Sequence, residues 1–188
     1  MKLLKTIVLG FIAVLALSAC SSEESFNSFD PEAQFELDKK AIKDLVAKSY
    51  PNAKEDTSGS GIWYELLDTA TSAPFTYKAN ASDKSLIFPV VTTNYKLTLL
   101  DSKAIDENSK PEGFESPLRS LIAAWHVAFF PAKIGGEKVG GLTEKGLQVG
   151  DRIRIFTPSA YAYGNRNQGN IPANSPLIFE IKVLKIVD

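Results

Sequence analysis

Residues 160–187, AYAYGNRNQGNIPANSPLIFEIKVLKIV, decide the fold class. Leu177, Phe179, Ile181 and Val183 occupy every second position of the closing run Leu177–Val187, which predicts a long strand with one buried face. Ahead of it, residues 165–176 are rich in Asn, Gly and Pro and read as a polar loop. Residues 160–164 read as a short turn or helix. Working outward, Arg152–Thr157 alternates and predicts another strand. Residues 134–150 are glycine-rich with scattered charge, so they read as loop or an irregular hairpin. Across 117–130, Leu118, Leu121, Ile122, Trp125 and Phe129 recur at helical spacing and predict one helix. Residues 91–99 alternate cleanly, with Val91, Thr93, Tyr95, Leu97 and Leu99 on one face, and Asp101-Ser102 makes a turn. Residues 62–67 read as a strand and 69–84 as loop. The expected class is α+β: a mostly antiparallel sheet, short helices and long loops.

The N-terminal part is organised differently. Asp30-Pro31-Glu32 is a helix start, with Asp as cap, Pro at the first helical position and an acid near the positive dipole end. Phe35, Ile42, Leu45 and Val46 then share a helical face, and the helix stops before Pro51. Further upstream, Lys2 and Lys5 precede an uncharged apolar run over 6–16, and Leu17-Ser18-Ala19-Cys20 follows. The run is too short to span a bilayer, and a basic start with small residues before a cut site defines a signal peptide. The Leu-Ser-Ala-Cys order fits a lipobox, in which Cys20 accepts a diacylglyceryl group. Cys20 is the only cysteine, so no disulfide forms within the chain. The expected organisation is a lipoprotein signal at 1–19, a flexible tether at 20–33, a helix and linker at 34–59, and one domain at 60–188. Several acyl chains on one residue suffice for stable membrane anchoring. Ser21 is compatible with outer-membrane sorting. Glu23-Glu24 resembles acidic surface-export tags, so the membrane face stays open.

Composition narrows the chemistry. The chain of 188 residues has a formal net charge of −1, and loss of Lys2 and Lys5 makes it about −3. No basic stripe is present, so nucleic acid is not an expected partner. His126 is the only histidine and lies beside Trp125 on an apolar stretch, which argues against a Ser-His-Asp triad. Cys and His are too few for a metal site, and no Gly-Lys-Ser/Thr follows the glycines at 135–146 as a phosphate loop requires. No metal or cofactor is expected. Nothing demands a dimer, and a monomer is expected.

One ordered set of residues carries more. Tyr95, Asp106, Phe114, Leu121-Ile122 and Trp125 are followed by Gly146-Leu147-Gln148-Val149-Gly150-Asp151. Ala162-Tyr163-Gly164, Ile171-Pro172 and Leu177-Ile178-Phe179-Glu180 then come in order. This set resembles the FKBP-type peptidyl-prolyl isomerase family over roughly residues 60–188. The resemblance implies a bent antiparallel sheet wrapped around a short central helix, here with an N-terminal helical extension. It implies an apolar pocket for proline-containing polypeptide clients. Trp125 would be the floor; Tyr95, Phe114 and Phe179 the walls; Ile122 a wall and a backbone donor; and Ile171 the rim. Tyr163 would donate its hydroxyl to a substrate carbonyl, and Asp106 would face the twisting bond.

The chain also departs from the family. Ile105 stands where an aromatic usually precedes the matched acid, and Ser116 where a second aromatic follows Phe114. The segment 118–121 is short, and an insertion separates Trp125 from Gly150. Three functions stay open: an isomerase assisting exported proteins, a catalytically weak binding module of an envelope or surface assembly such as a motility apparatus, and a structural lipoprotein.

Overall fold

The computed structural model describes residues 29–70 and 74–188. The signal, the lipobox and Cys20 lie outside them. The first element, α1 (Pro31–Ser49), starts as its sequence demands: Asp30 is extended, and its carboxylate accepts from the Glu32 and Ala33 amides at 3.0 Å each. The helix therefore includes residues 31–33, which the sequence division had given to the tether. The cap and proline, rather than the apolar face, set its start.

A seven-stranded antiparallel sheet follows. Its strands are β1 (Lys54–Glu55), β2 (Trp63–Asp68), β3 (Val90–Leu99), β4 (Ala104–Asn108), β5 (Phe114–Pro117), β8 (Arg152–Thr157) and β9 (Leu177–Val187). A separate hairpin holds β6 (Lys133–Ile134) and β7 (Glu137–Lys138). The spatial order is β1-β2-β8-β9-β3-β4, with β5 also on β3. β4 and β5 share one edge of β3: β5 pairs with Val90–Thr93 and β4 with Tyr95–Thr98. A bulge lets Thr92 face Lys185 and Thr93 face Val183, so β9 bends there. The bulge also returns Ile186 to the same core as Val183, one position out of simple alternation.

The helix expected over 117–130 is broken, and this corrects the sequence reading. Leu118–Ser120 form one 3-10 turn, Leu121 and Ile122 are extended (ψ 165° and 158°), and only Ala123–Phe129 make the α-helix α2. One apolar spacing is met by three jobs. Leu118 is buried in the core, Leu121 and Ile122 turn to a cleft, and Trp125 and Phe129 pack beneath it. His126 spans the break, with Nε2 at 2.9 Å from the Leu118 carbonyl and its ring edge-on to Phe88. It is a structural histidine.

Each face of the sheet has its own cover. On the concave face Ile153, Ile155, Leu177, Phe179, Ile181 and Val183 pack with Trp125 and Phe129 of α2. On the back, Phe156 and Ile178 pack with Ile42 and Val46 of α1, and Tyr50 meets Phe156 edge-on at 4.7 Å. The Gly146–Asp151 motif ties down Ala70, Phe75 and Tyr77. Asp151 accepts from the Ala70 amide (2.6 Å) and the Gln148 amide (2.8 Å), and Tyr77 donates to the Leu147 carbonyl at 2.7 Å. Gly146 has φ +71°, and a Cβ there would lie 2.4 Å from the Phe129 carbonyl oxygen, so the motif needs glycine.

Candidate functional site

The mouth of the concave face is built around Trp125. Ala124 and Trp125 are buried on α2, and Phe129, one turn on, stacks against the indole at 6.0 Å and 12°. The rings of Tyr95 and Phe179 stand almost perpendicular to it, at 80° and 83°, with centroids 5.8 and 5.9 Å away. Phe114 meets Tyr95 edge-on at 5.6 Å. A flat indole backed by one ring and flanked by upright ones is a floor with walls. β3, β5 and β9 supply Tyr95, Phe114 and Phe179 because those side chains fall on the concave side of their strands.

These residues enclose a cleft of about 220 Å³, completed by Ser120, Leu121, Ile122 and Tyr163. Six of the eight residues expected at a binding pocket are thereby brought together: Tyr95, Phe114, Ile122, Trp125, Tyr163 and Phe179. Asp106 stands beside it on β4, exposed, and accepts the Tyr95 hydroxyl at 2.7 Å. Ile171 does not line the cleft. It is 4% exposed within the main core, where the amides and carbonyls it exchanges with Gln168 (2.9 Å each) close the loop. Ile105 packs partly buried against that core, and Ser116 is buried with its hydroxyl 3.2 Å from the Pro117 carbonyl. Ser120 and Leu121 escape a sequence reading that runs a helix through them.

Hydrogen-bonding capacity converges on the cleft. Ile122 is the N-terminal cap of α2, and among the described residues its backbone N–H has no acceptor. The Tyr163 hydroxyl is a second donor. Burial, and then the charge of Asp106, push the Tyr163 phenol above its ordinary value. Tyr95 is pushed up to about 12, by burial first and then by the bond to Asp106, its charge and Tyr163. Both phenols are therefore neutral donors at physiological pH. Apolar walls with two or three donors can hold a carbonyl group against a hydrophobic ring.

A larger groove, about 420 Å³, lies between the β6–β7 hairpin and the turn carrying Ala79 and Leu86. Aliphatic side chains and the solvated Lys84, Glu137 and Lys138 line it, and no ring or buried hydroxyl points into it. The smaller cleft has the convergent chemistry and is the candidate site. The groove is built from the insertion after Trp125, whose Gly135-Gly136 corner (φ +57° and +89°) closes a two-residue hairpin.

The sequence around the cleft is similar to known proteins. The family model for FKBP-type peptidyl-prolyl cis-trans isomerases matches residues 84–184, which include every cleft residue. An FKBP-type peptidyl-prolyl cis-trans isomerase FkpA of Aeromonas hydrophila is 28% identical over 155 residues, covering 80% of this chain and 47% of the relative. FkpA of Escherichia coli K12 is 26% identical over 181 residues, covering 90% and 58%. The chain thus spans about half the length of the curated relatives it matches. The crystal structure of a peptidyl-prolyl cis-trans isomerase from Pseudomonas syringae superposes with a TM-score of 0.54 at 22% identity, over 85% of this chain and 98% of that one. The shared fold is FKBP-like, with the N-terminal helix added to the sheet and short helix.

Proposed function

The chain belongs to the FKBP-type peptidyl-prolyl cis-trans isomerase family, and from that premise we propose that it catalyses cis/trans exchange of X-Pro bonds in proline-containing polypeptides, in a cell envelope to which Cys20 anchors it. The observation that carries the reading is the upright ring set around Trp125 with free donors at its edge.

The chemistry needs no proton transfer. The barrier is amide resonance, about 18–20 kcal/mol, and exchange of a free X-Pro bond takes tens to hundreds of seconds. Twisting removes the charge separation of the planar amide. Water favours the planar, more polar form; an apolar cleft favours it less, so the twisted form costs relatively less there. Each tenfold of rate requires about 1.4 kcal/mol of this difference. The proline ring lies on Trp125 between Tyr95, Phe114 and Phe179. The Ile122 N–H and Tyr163 hydroxyl hold a substrate carbonyl, so that one side of the bond is fixed while the other turns. Asp106 keeps the Tyr95 ring upright through their 2.7 Å bond and sets a negative charge beside the turning group. Ile171 acts from below, as packing for the rim loop.

Lipidation of Cys20 after removal of residues 1–19 places the domain at the membrane surface, with the outer membrane as its site and unfolded exported chains as its clients. Ile105 in place of an aromatic, and Ser116 where a second aromatic would follow Phe114, favour a second reading in which the cleft binds prolyl segments but turns them over weakly.

Two-dimensional NMR exchange on a short Leu-Pro peptide, with and without the protein, tests the first reading. Acceleration that falls in Asp106→Ala supports it. Binding at the cleft without acceleration selects the second. Mass spectrometry of the protein from membranes tests the anchor: an acylated Cys20 supports it, and an intact leader with an unmodified thiol rejects it.

A further inference from the structure

Asp38 lies on α1, outside the residues that the family model matches, and is only 2% exposed. A buried carboxylate is expensive unless donors meet its charge. Three do. Oδ1 accepts from Gln34 Nε2 at 2.7 Å, and Oδ2 accepts from both the backbone N–H (2.8 Å) and the hydroxyl (2.5 Å) of Ser159. Docking α1 on the sheet does not require this charge, because Ile42 and Val46 already bury an apolar face against Phe156 and Ile178. A buried polar group and its side-chain partners, replaced together by well-packed apolar groups, are commonly neutral or stabilising. The carboxylate therefore calls for another explanation.

What it holds supplies one. Ser159 opens the 3-10 turn Ser159–Tyr161. Its carbonyl accepts the Ala162 amide at 2.9 Å and the Gly164 amide at 2.8 Å, the residues on either side of Tyr163. The Gly164 carbonyl then accepts the Asn174 amide at 2.8 Å, which carries the same frame into the loop of Ile171. Ser159 is thus fixed at its amide and hydroxyl by α1, and fixes with its carbonyl the backbone on both sides of the cleft's tyrosine.

We propose that Asp38 is a positioning residue of the cleft: through Ser159 it holds Tyr163 where its hydroxyl meets the substrate carbonyl. This rests on the isomerase reading above. It makes α1 part of the site's machinery, with the carboxylate as the one polar tie between the helix and the cleft turn among the described residues.

The test is a double-mutant cycle in the full chain. It reads kcat/KM on a Leu-Pro peptide and the ring resonance of Tyr163 in tyrosine-labelled protein, assigned by its loss in Tyr163→Phe. Asp38→Ala is expected to lower kcat/KM on the order of tenfold, short of the hundredfold that a misplacement of about 1 Å can cost. It is expected to shift or broaden the Tyr163 signal. In the Tyr163→Phe background the same substitution should cost less than about twofold, because the group it positions is already gone. Asp38→Asn keeps one acceptor for Ser159 and should restore most of the rate. Equal losses in both backgrounds, or a folded Asp38→Ala with unchanged rate and unchanged Tyr163 signal, would overturn the proposal and leave α1 as an attachment. If Asp38→Ala does not fold, Ser159→Ala removes only the hydroxyl arm. It should give about a threefold loss that again disappears without the Tyr163 hydroxyl, and the same two results overturn it. A wild-type protein without turnover would defeat the isomerase reading alone. The Tyr163 signal must still move in Asp38→Ala, and if it does not, the positioning role fails too.

Discussion

On β8, Ile153 and Ile155 turn towards α2, whereas Arg154 and Phe156 turn to the back of the sheet. Arg154 there bonds Glu65 (2.8 Å) and Glu180 (2.8 Å) and lies 5.0 Å over the Tyr50 ring, while Phe156 is sealed under α1. The same strands thus make a concave face with an open aromatic cleft and a back face closed by a helix. The difference teaches how a sheet divides labour. The back pairs its side chains with one another, Arg154 with Glu65 and Glu180 and Phe156 with α1. The concave face keeps Tyr163 and the Ile122 amide unsatisfied at its mouth, at a cost in stability that the rest of the core must offset. Asp38 crosses from one region to the other.

The largest effect should come from the back. Phe156→Ala empties a fully buried ring site and is expected to cost about 3–5 kcal/mol in denaturant unfolding, with kcat/KM of the folded protein unchanged. A fall in turnover with stability intact would merge the two faces. Next, Tyr163→Phe should lower kcat/KM tenfold to a hundredfold, about 1.4–2.7 kcal/mol, and leave the unfolding midpoint close to wild type, because the hydroxyl it removes has no partner among the described residues. Tyr95→Phe is smaller: the rim bond to Asp106 is exposed, so a loss of about threefold in turnover and under about 1 kcal/mol in stability is expected.

The smallest effect is in pH. The unfolded chain ionises its tyrosines near their ordinary value of 10, whereas the folded Tyr95 does so at about 12. Between those values the unfolded state binds fewer protons, so stability is full below pH 10 and falls as pH rises towards 12. Thermal unfolding at pH 9, 10 and 11 checks this. The decline should shrink in Tyr95→Phe, and a stability that rises with pH there would contradict the assignment.

How much of this the sequence carried depends on the length of the periodic signal. β9 and β8 are found at the bounds their alternation gave, and the cap at Asp30 with Pro31 marked α1. Six cleft residues were legible because they lie in strands, or in motifs, whose order is fixed by the family resemblance. β4 and β5 were not read as strands: β4 is short, polar and mostly exposed, and β5 ends in proline. The break at Leu121-Ile122 was hidden because helical spacing was preserved across it. The covering of Phe156 and Ile178 by α1, and Asp38 with Ser159, are pairings between distant parts of the chain, for which local pattern holds no information. Ile171 matched the family by position but is turned inward to the core.

The central claim is that the Trp125 cleft turns over X-Pro bonds while the apolar packing of Phe156 on the back face serves only the fold. Exchange spectroscopy of a Leu-Pro peptide with wild type, Tyr163→Phe and Phe156→Leu, all verified as folded, tests it most directly. The account predicts acceleration by wild type and Phe156→Leu alike and a deep loss in Tyr163→Phe. Equal rates in all three, or no acceleration by any, would contradict it.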